Sequence, residues 1–304
     1  MSESERTGPQ GDCSDGAVDE SEISVRLLGT GGPWVDEHRF ASATLISIGQ
    51  ERLLVDAGRG IGVRLVQAGE NLGQINPIFI THHHLDHISD LADLMITSWM
   101  RGRREELVIY GPAGTKEIVD TLVEQVYAKD IEWRSVGEPH WGGWKPVRAI
   151  DVEPGLVVDT GRWSMRCEYV EHGHGLGFRK EFLDRWKCLG YRFEADGHSI
   201  AISGDTVDCA GIRTIAEGTD ILVQCCFITQ KEMDGNDHLS KVAKYTLADT
   251  RQAATIARDA GVGHLVLTHI RPTSDELIVQ MEKEIREIYS GRLSIGSDLL
   301  SIQP

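Results

Sequence analysis

One short stretch limits what this 304-residue chain can fold into more than any other: an apolar run that stops on a dense set of metal-ligand side chains. INPIFIT, residues 75 to 81, reads as a buried strand and leads directly into HHHLDH at 82 to 87. His82 and His84 sit two apart at a strand end and point the same way. Asp86 and His87 occupy the turn that opens an apolar-periodic helix through DLADLMITSWM. Imidazole suits zinc and other first-row metals and a carboxylate adds a hard oxygen, so four such groups this close can serve two neighbouring ions. A merely histidine-rich surface turn would not follow a buried strand, nor would it be matched by partners elsewhere.

Such partners exist. His172 in VEHGHG, Asp205 in ISGDT and His269 in LVLTHI each come directly after an apolar strand-like run. A lone histidine of this kind is more often a satisfied core residue, but three strand-end ligand types together with the cluster outweigh that reading. His174 competes with His172; because His172 comes first after the strand, His174 is expected on the substrate side, as a catalytic candidate. His83 alternates away from its neighbours and is expected to pack.

The flanking segments alternate in kind. SVRLLGTGGP, SATLISIG, ERLLVDAGRG, ELVIYGP, MRCEYVEH, CLGYRFEADG, HSIAISGD, DILVQCCF and HLVLTH read as strands, while IGVRLVQAG, TKEIVDTLVEQVYAK and TRQAATIARDAG read as helices. This order predicts an α/β protein, an αβ/βα sandwich with a site at one sheet edge. Residues 1 to 22, polar and acidic, read as a disordered tail, and 23 to 304 as one hydrolase domain. Residues 131 to 155, with Trp133, His140, Trp141 and Trp144, read as an insertion beside the site, either a lid over it or a staple to the core or to a second subunit.

Composition narrows the partners. No apolar run reaches the roughly 18 residues of a membrane span, no secretory pattern opens the chain, and the six cysteines form no CxxC pair, so a cytoplasmic protein with reduced thiols is expected. With 31 Lys+Arg against 47 Asp+Glu, a formal charge of -16 disfavours nucleic acid as a partner. A small-molecule substrate and a homo-oligomer, dimer or larger, are expected instead.

GTGGP at 29 to 33, VDAG at 55 to 58, HxHxDH at 82 to 87, YGP at 110 to 112, VEHG at 170 to 173, GDT at 204 to 206 and LTH at 267 to 269, in this order, resemble the metallo-β-lactamase superfamily, in particular its tRNase Z, arylsulfatase-like and phosphodiesterase branch. The resemblance implies two mixed β-sheets flanked by helices and two divalent metal ions, zinc first, with Mn2+ or Fe2+ as alternatives. It implies that His82, His84 and His172 hold one ion, that Asp86, His87 and His269 hold the other, and that Asp205 bridges them, with a hydroxide between. Asp86 can also orient that hydroxide or move its proton. Asp56 is expected to hold a ligand histidine or a neighbouring loop.

The chain departs from tRNase Z where that family carries a Glu and a His thought to protonate the leaving group. Cys225 and Leu247 stand there, with His238 as the nearby catalytic substitute, and the family's long arm is reduced to FEADGHSIAISG. The sequence reading is therefore a two-metal hydrolase of an ester-like bond (lactone, aryl ester or ether, sulfate ester or phosphodiester), with tRNA 3′-end processing as the alternative. Arg101, Arg103 and Arg104 read as solvated surface or, less readily, as contacts to an anionic substrate.

Overall fold

Alternating burial begins at once: Ile23, Val25 and Leu27 are buried on one face of the first strand while Ser24 and Arg26 are only partly covered. The computed structural model describes residues 23 to 235 and 237 to 304, and the tail expected over 1 to 22 lies outside the described residues. The first sheet is built from β1 (Ile23–Gly29), β2 (Ala43–Ile48), β3 (Glu51–Val55), β4 (Ile75–Phe79), β5 (Leu107–Gly111) and β6 (Val147–Asp151). The second uses β7 (Gly155–Asp159), β8 (Trp163–Val170), β9 (Cys188–Ala195), β10 (His198–Ile202), β11 (Ile221–Cys225), β12 (His264–Thr268) and β13 (Arg292–Ile295). With β14 (Ser301–Ile302) returning to the edge of β1, these form two seven-stranded sheets, ordered β14-β1-β2-β3-β4-β5-β6 and β13-β12-β11-β10-β9-β8-β7.

Between the sheets lies one apolar layer, in which Leu27, Ile46, Val55 and Phe79 meet Met165, Leu189, Tyr191, Phe193 and Val223. Phe79 sits at its centre, 5.1 Å from the ring of Phe193, 5.3 Å from Tyr110 and 5.6 Å from Tyr191. Truncating so buried an aromatic to alanine costs about 3–5 kcal/mol. Helix Leu91–Met100 packs outside the first sheet. Helix Thr250–Asp259 covers the second sheet with Ala253, Ala254, Ile256 and Ala257, and Asp249 caps its start by accepting the Gln252 N–H at 2.8 Å. The result is the expected αβ/βα sandwich.

Strand direction places the site. β3, β4, β5 and β6 pair in parallel, as do β10, β11, β12 and β13, and β8 runs with β10 because both are antiparallel to β9. β1 runs with β3, since both are antiparallel to β2. The loops after β1, β3, β4, β8, β10, β11 and β12 therefore open on one edge of the sandwich.

Residues 131 to 155 do not form an insertion beside that edge. They contain the end of helix Ala128–Gly137, a short turn of helix at Pro139–Trp141, and β6, which completes the first sheet. Because the Trp141–Trp144 segment precedes a parallel strand, it lies at the opposite edge. Trp144 packs edge-on against Trp99 at 5.1 Å and lies under the Arg103 guanidinium. The lid reading is thus corrected: Trp144 staples this segment to the core. Arg103 is buried rather than solvated, donating to the carbonyls of Glu105 and Pro146, and burial pushes its guanidinium down to about 10. No helix among the described residues is long and apolar enough to cross a membrane.

Candidate metal centre

The turn after β4 and the ends of β8, β10 and β12 bring all seven candidate ligands together in two groups. His82, His84, His172 and Asp205 form one, and Asp86, His87 and His269 the other, with the ligand atoms within each group inside 4.8 Å of one another. In the first, His84 Nδ1 lies 3.0 Å from His82 Nε2 and 3.1 Å from His172 Nε2. In the second, His269 Nε2 is 3.2 Å and His87 Nε2 3.6 Å from Asp86 Oδ2. Asp205 stands between them. Its Oδ2 is 3.2 Å from His269 Nε2, 3.9 Å from His172 Nε2 and 4.0 Å from His82 Nε2, and its Oδ1 is 3.5 Å from His87 Nε2.

These residues fit metal ions on their own geometry. Ligand atoms at about 2.0–2.2 Å around a four-coordinate ion stand roughly 3.3 Å apart, close to the separations observed. His87 Nε2 and Asp205 Oδ1 are buried with no hydrogen-bond partner, an arrangement that costs stability unless a cation completes it. Three ligand imidazoles have their outer nitrogen held: His87 Nδ1 by Asp56 Oδ2 at 2.7 Å, His172 Nδ1 by the Thr246 carbonyl at 2.5 Å and His82 Nδ1 by the Thr81 hydroxyl at 3.1 Å. Room for His269 comes from Gly32, where a Cβ would stand 2.9 Å from the imidazole.

Electrostatics agree. Burial holds His82 well below the usual histidine range, lowers His172, and takes His84 down to about 4, so these rings are neutral and able to ligate. Burial opposes charge on Asp205 too, but His269, His87 and His172 hold it well below the usual carboxylate range. For His87 burial is outweighed by Asp56 and Asp205, which raise it.

Comparison with known proteins settles the lineage. Residues 51–270 match the family model described as the beta-lactamase superfamily domain. The chain belongs to the metallo-β-lactamase superfamily. It is a hydrolase of that superfamily. It is 31% identical over 291 residues to Ribonuclease Z of Mycobacterium marinum, covering 92% of this chain and 98% of that one, and 33% identical to Ribonuclease Z of Mycolicibacterium gilvum, covering 92% and 96%. Among solved structures it resembles the metallo-beta-lactamase fold protein YhfI from Bacillus subtilis (TM-score 0.70, 18% identity, 93% and 100% coverage) and the short form of human tRNase Z (TM-score 0.65, 22% identity, 92% and 98%).

The ribonuclease relatives overturn the expectation that nucleic acid is not a partner and that the substrate is a small molecule. Net charge misled because it sums over the whole chain. Part of the acidic excess lies in Glu3, Glu5, Asp12, Asp15, Asp19, Glu20 and Glu22, whereas Arg185 and Lys187 flank in sequence Trp186, whose ring lies 4.7 Å from that of His84.

Beside the candidate ligands lies a cavity of about 450 Å³, lined by His84, Asp86, His172, Asp205 and His269 and by Trp34, Phe227, His238, Leu239, Val242 and Leu247. His238 thus lines the cavity beside the candidate ligands. His174 does not: its Nδ1 accepts the N–H of His172 at 3.1 Å and its side chain lines a separate groove with Trp186 and Lys187, which corrects its reading as a substrate-side catalytic group. His83 bonds the Thr115 hydroxyl at 2.8 Å and is structural. Cys225 accepts the Thr206 N–H at 3.3 Å, burial pushes its thiol up to about 12, and it is not among the residues lining this cavity. Sequence reasoning missed Trp34, Phe227 and Trp186. Trp34 directly follows the GTGGP turn, which was the available signal; Trp186, on a loop, gives none.

Proposed function

We propose that this chain is a metal-dependent endoribonuclease that cuts precursor tRNA at its 3′ side, holding two divalent ions, zinc first, on the seven ligands. The observation that carries the reading is 31% identity to a Ribonuclease Z across 92% of the chain, with every ligand position filled. Ions bound there lower the pKa of water toward neutrality and draw charge from a phosphate oxygen. The protein's own groups supply the rest. Asp205, ionised and central, ties the two groups of ligands together, and Asp86 faces the cavity as a carboxylate able to orient or accept a proton. Asp56, Thr81 and the Thr246 carbonyl fix ring orientation. With Cys225 and Leu247 in place of the expected relay, His238 is the imidazole in the cavity outside the ligand set and the donor we assign to the leaving ribose oxygen. Arg185 and Lys187 flank Trp186, whose ring lies 4.7 Å from that of His84, which supports a phosphate backbone passing beside the site.

The test is a zinc-loaded sample incubated with end-labelled precursor tRNA carrying a 3′ trailer. A single cut separating body from trailer is expected; intact RNA in a sample that hydrolyses a nitrophenyl ester overturns the reading.

A further inference from the structure

Trp34 is 49% exposed, yet its position is fixed. The Gly32 backbone runs against the His269 imidazole so closely that no side chain fits, and Pro33 restricts the next step of the chain. Beyond them the indole rests on Phe227 at 5.4 Å, and Phe227, itself buried, lies 6.0 Å from the ring of His269. A row of rings thus runs from a metal ligand to the cavity surface and ends on an open aromatic face. Leu239, Val242 and Leu247 line the same cavity, which therefore joins a strongly polar metal floor to an apolar flank. A polar phosphodiester next to a flat heterocycle has that same division.

We propose that Trp34 is the stacking platform for one of the two nucleobases flanking the cleaved phosphodiester, with Phe227 holding the indole at its fixed distance from the metal ligands. The proposal rests on the endoribonuclease reading and deepens it, making Trp34 a positioning and specificity residue. Unstacked bases of RNA are bound in this way by aromatic side chains, and the contact tolerates any base because every base has a π-face. Leu247 belongs to the same division of labour, adding apolar surface to the flank where a base is held.

The experiment compares wild type, Trp34→Ala, Trp34→Leu and Trp34→Phe on three versions of one precursor RNA: intact, abasic on the 5′ side of the cut, and abasic on the 3′ side. Trp34→Ala and Trp34→Leu are expected to raise KM on intact RNA about tenfold with kcat little changed, Trp34→Phe to recover most of the loss, and one abasic RNA to be insensitive to all three substitutions. Trp34→Leu guards against a folding defect, since it keeps an apolar side chain while removing the π-face. An equal loss on all three RNAs, or no loss on any, overturns the stacking role while leaving the endoribonuclease reading intact. A wild-type chain that cuts none of the three overturns both.

Discussion

Asp56 Oδ2 lies 2.7 Å from His87 Nδ1, and the same carboxylate also accepts from the Thr81 N–H at 2.8 Å. Asp56 holds this position with φ 63, a left-handed conformation that Asn tolerates as well as Asp. Asp56→Asn should therefore keep the fold and lower metal affinity about 10–100-fold by removing the charge that orients His87. Zinc competition against a chromophoric chelator measures it; unchanged affinity would show that the contact does not tune the ligand.

Asp205 touches both groups of ligands, so Asp205→Ala should lose metal and RNA cleavage together. It also removes the carboxylate that balances His87 and His269. Metal analysis after zinc loading checks this, and retention of full metal content would refute the central place given to Asp205.

Trp144 sits at the edge away from the metals, between Trp99 and Arg103. Trp144→Ala should cost about 1–3 kcal/mol of stability without changing the choice of substrate at temperatures where the variant is folded. Trp141, whose indole donates to Glu138 at 2.7 Å, should likewise leave substrate choice alone. Denaturant unfolding alongside cleavage assays on several RNAs tests both; a shifted substrate profile would restore the lid.

His238→Ala should lower kcat on RNA about 100-fold, the lower range for losing a placed general acid, and lower it much less on bis(p-nitrophenyl) phosphate, whose leaving group needs little protonation. Equal losses on both would assign His238 to binding or structure instead.

The fold and the convergence of the seven candidate ligands were legible in the sequence for one physical reason. Each ligand follows a buried strand, and a strand end in an α/β sandwich points its side chains toward a shared edge, so His82, His172, Asp205 and His269 announced themselves by local pattern alone. What failed were inferences needing three-dimensional placement. The tryptophans clustered in sequence at 133 to 144 left a lid and a staple equally open, and only strand direction sends Trp141 and Trp144 to the far edge, while the cavity holds Trp34 and Phe227, far apart in sequence. His174 follows the same strand as His172, but the turn between them aims it into a separate groove, which spacing alone does not reveal. The total charge carried no information on where the basic side chains lie, and the substrate expectation drawn from it, from the shortened arm and from Cys225 and Leu247 yields to the ribonuclease relatives.

A two-ion centre that cleaves RNA is tested most directly by one titration. Chelator-treated chain is titrated with zinc while precursor-tRNA cleavage and bound metal are followed together. Cleavage is expected to rise to a plateau at about two ions per chain, and to stay absent at every loading in Asp205→Ala. A plateau at about one ion, or a fully metal-loaded chain that leaves the RNA intact, would contradict the account.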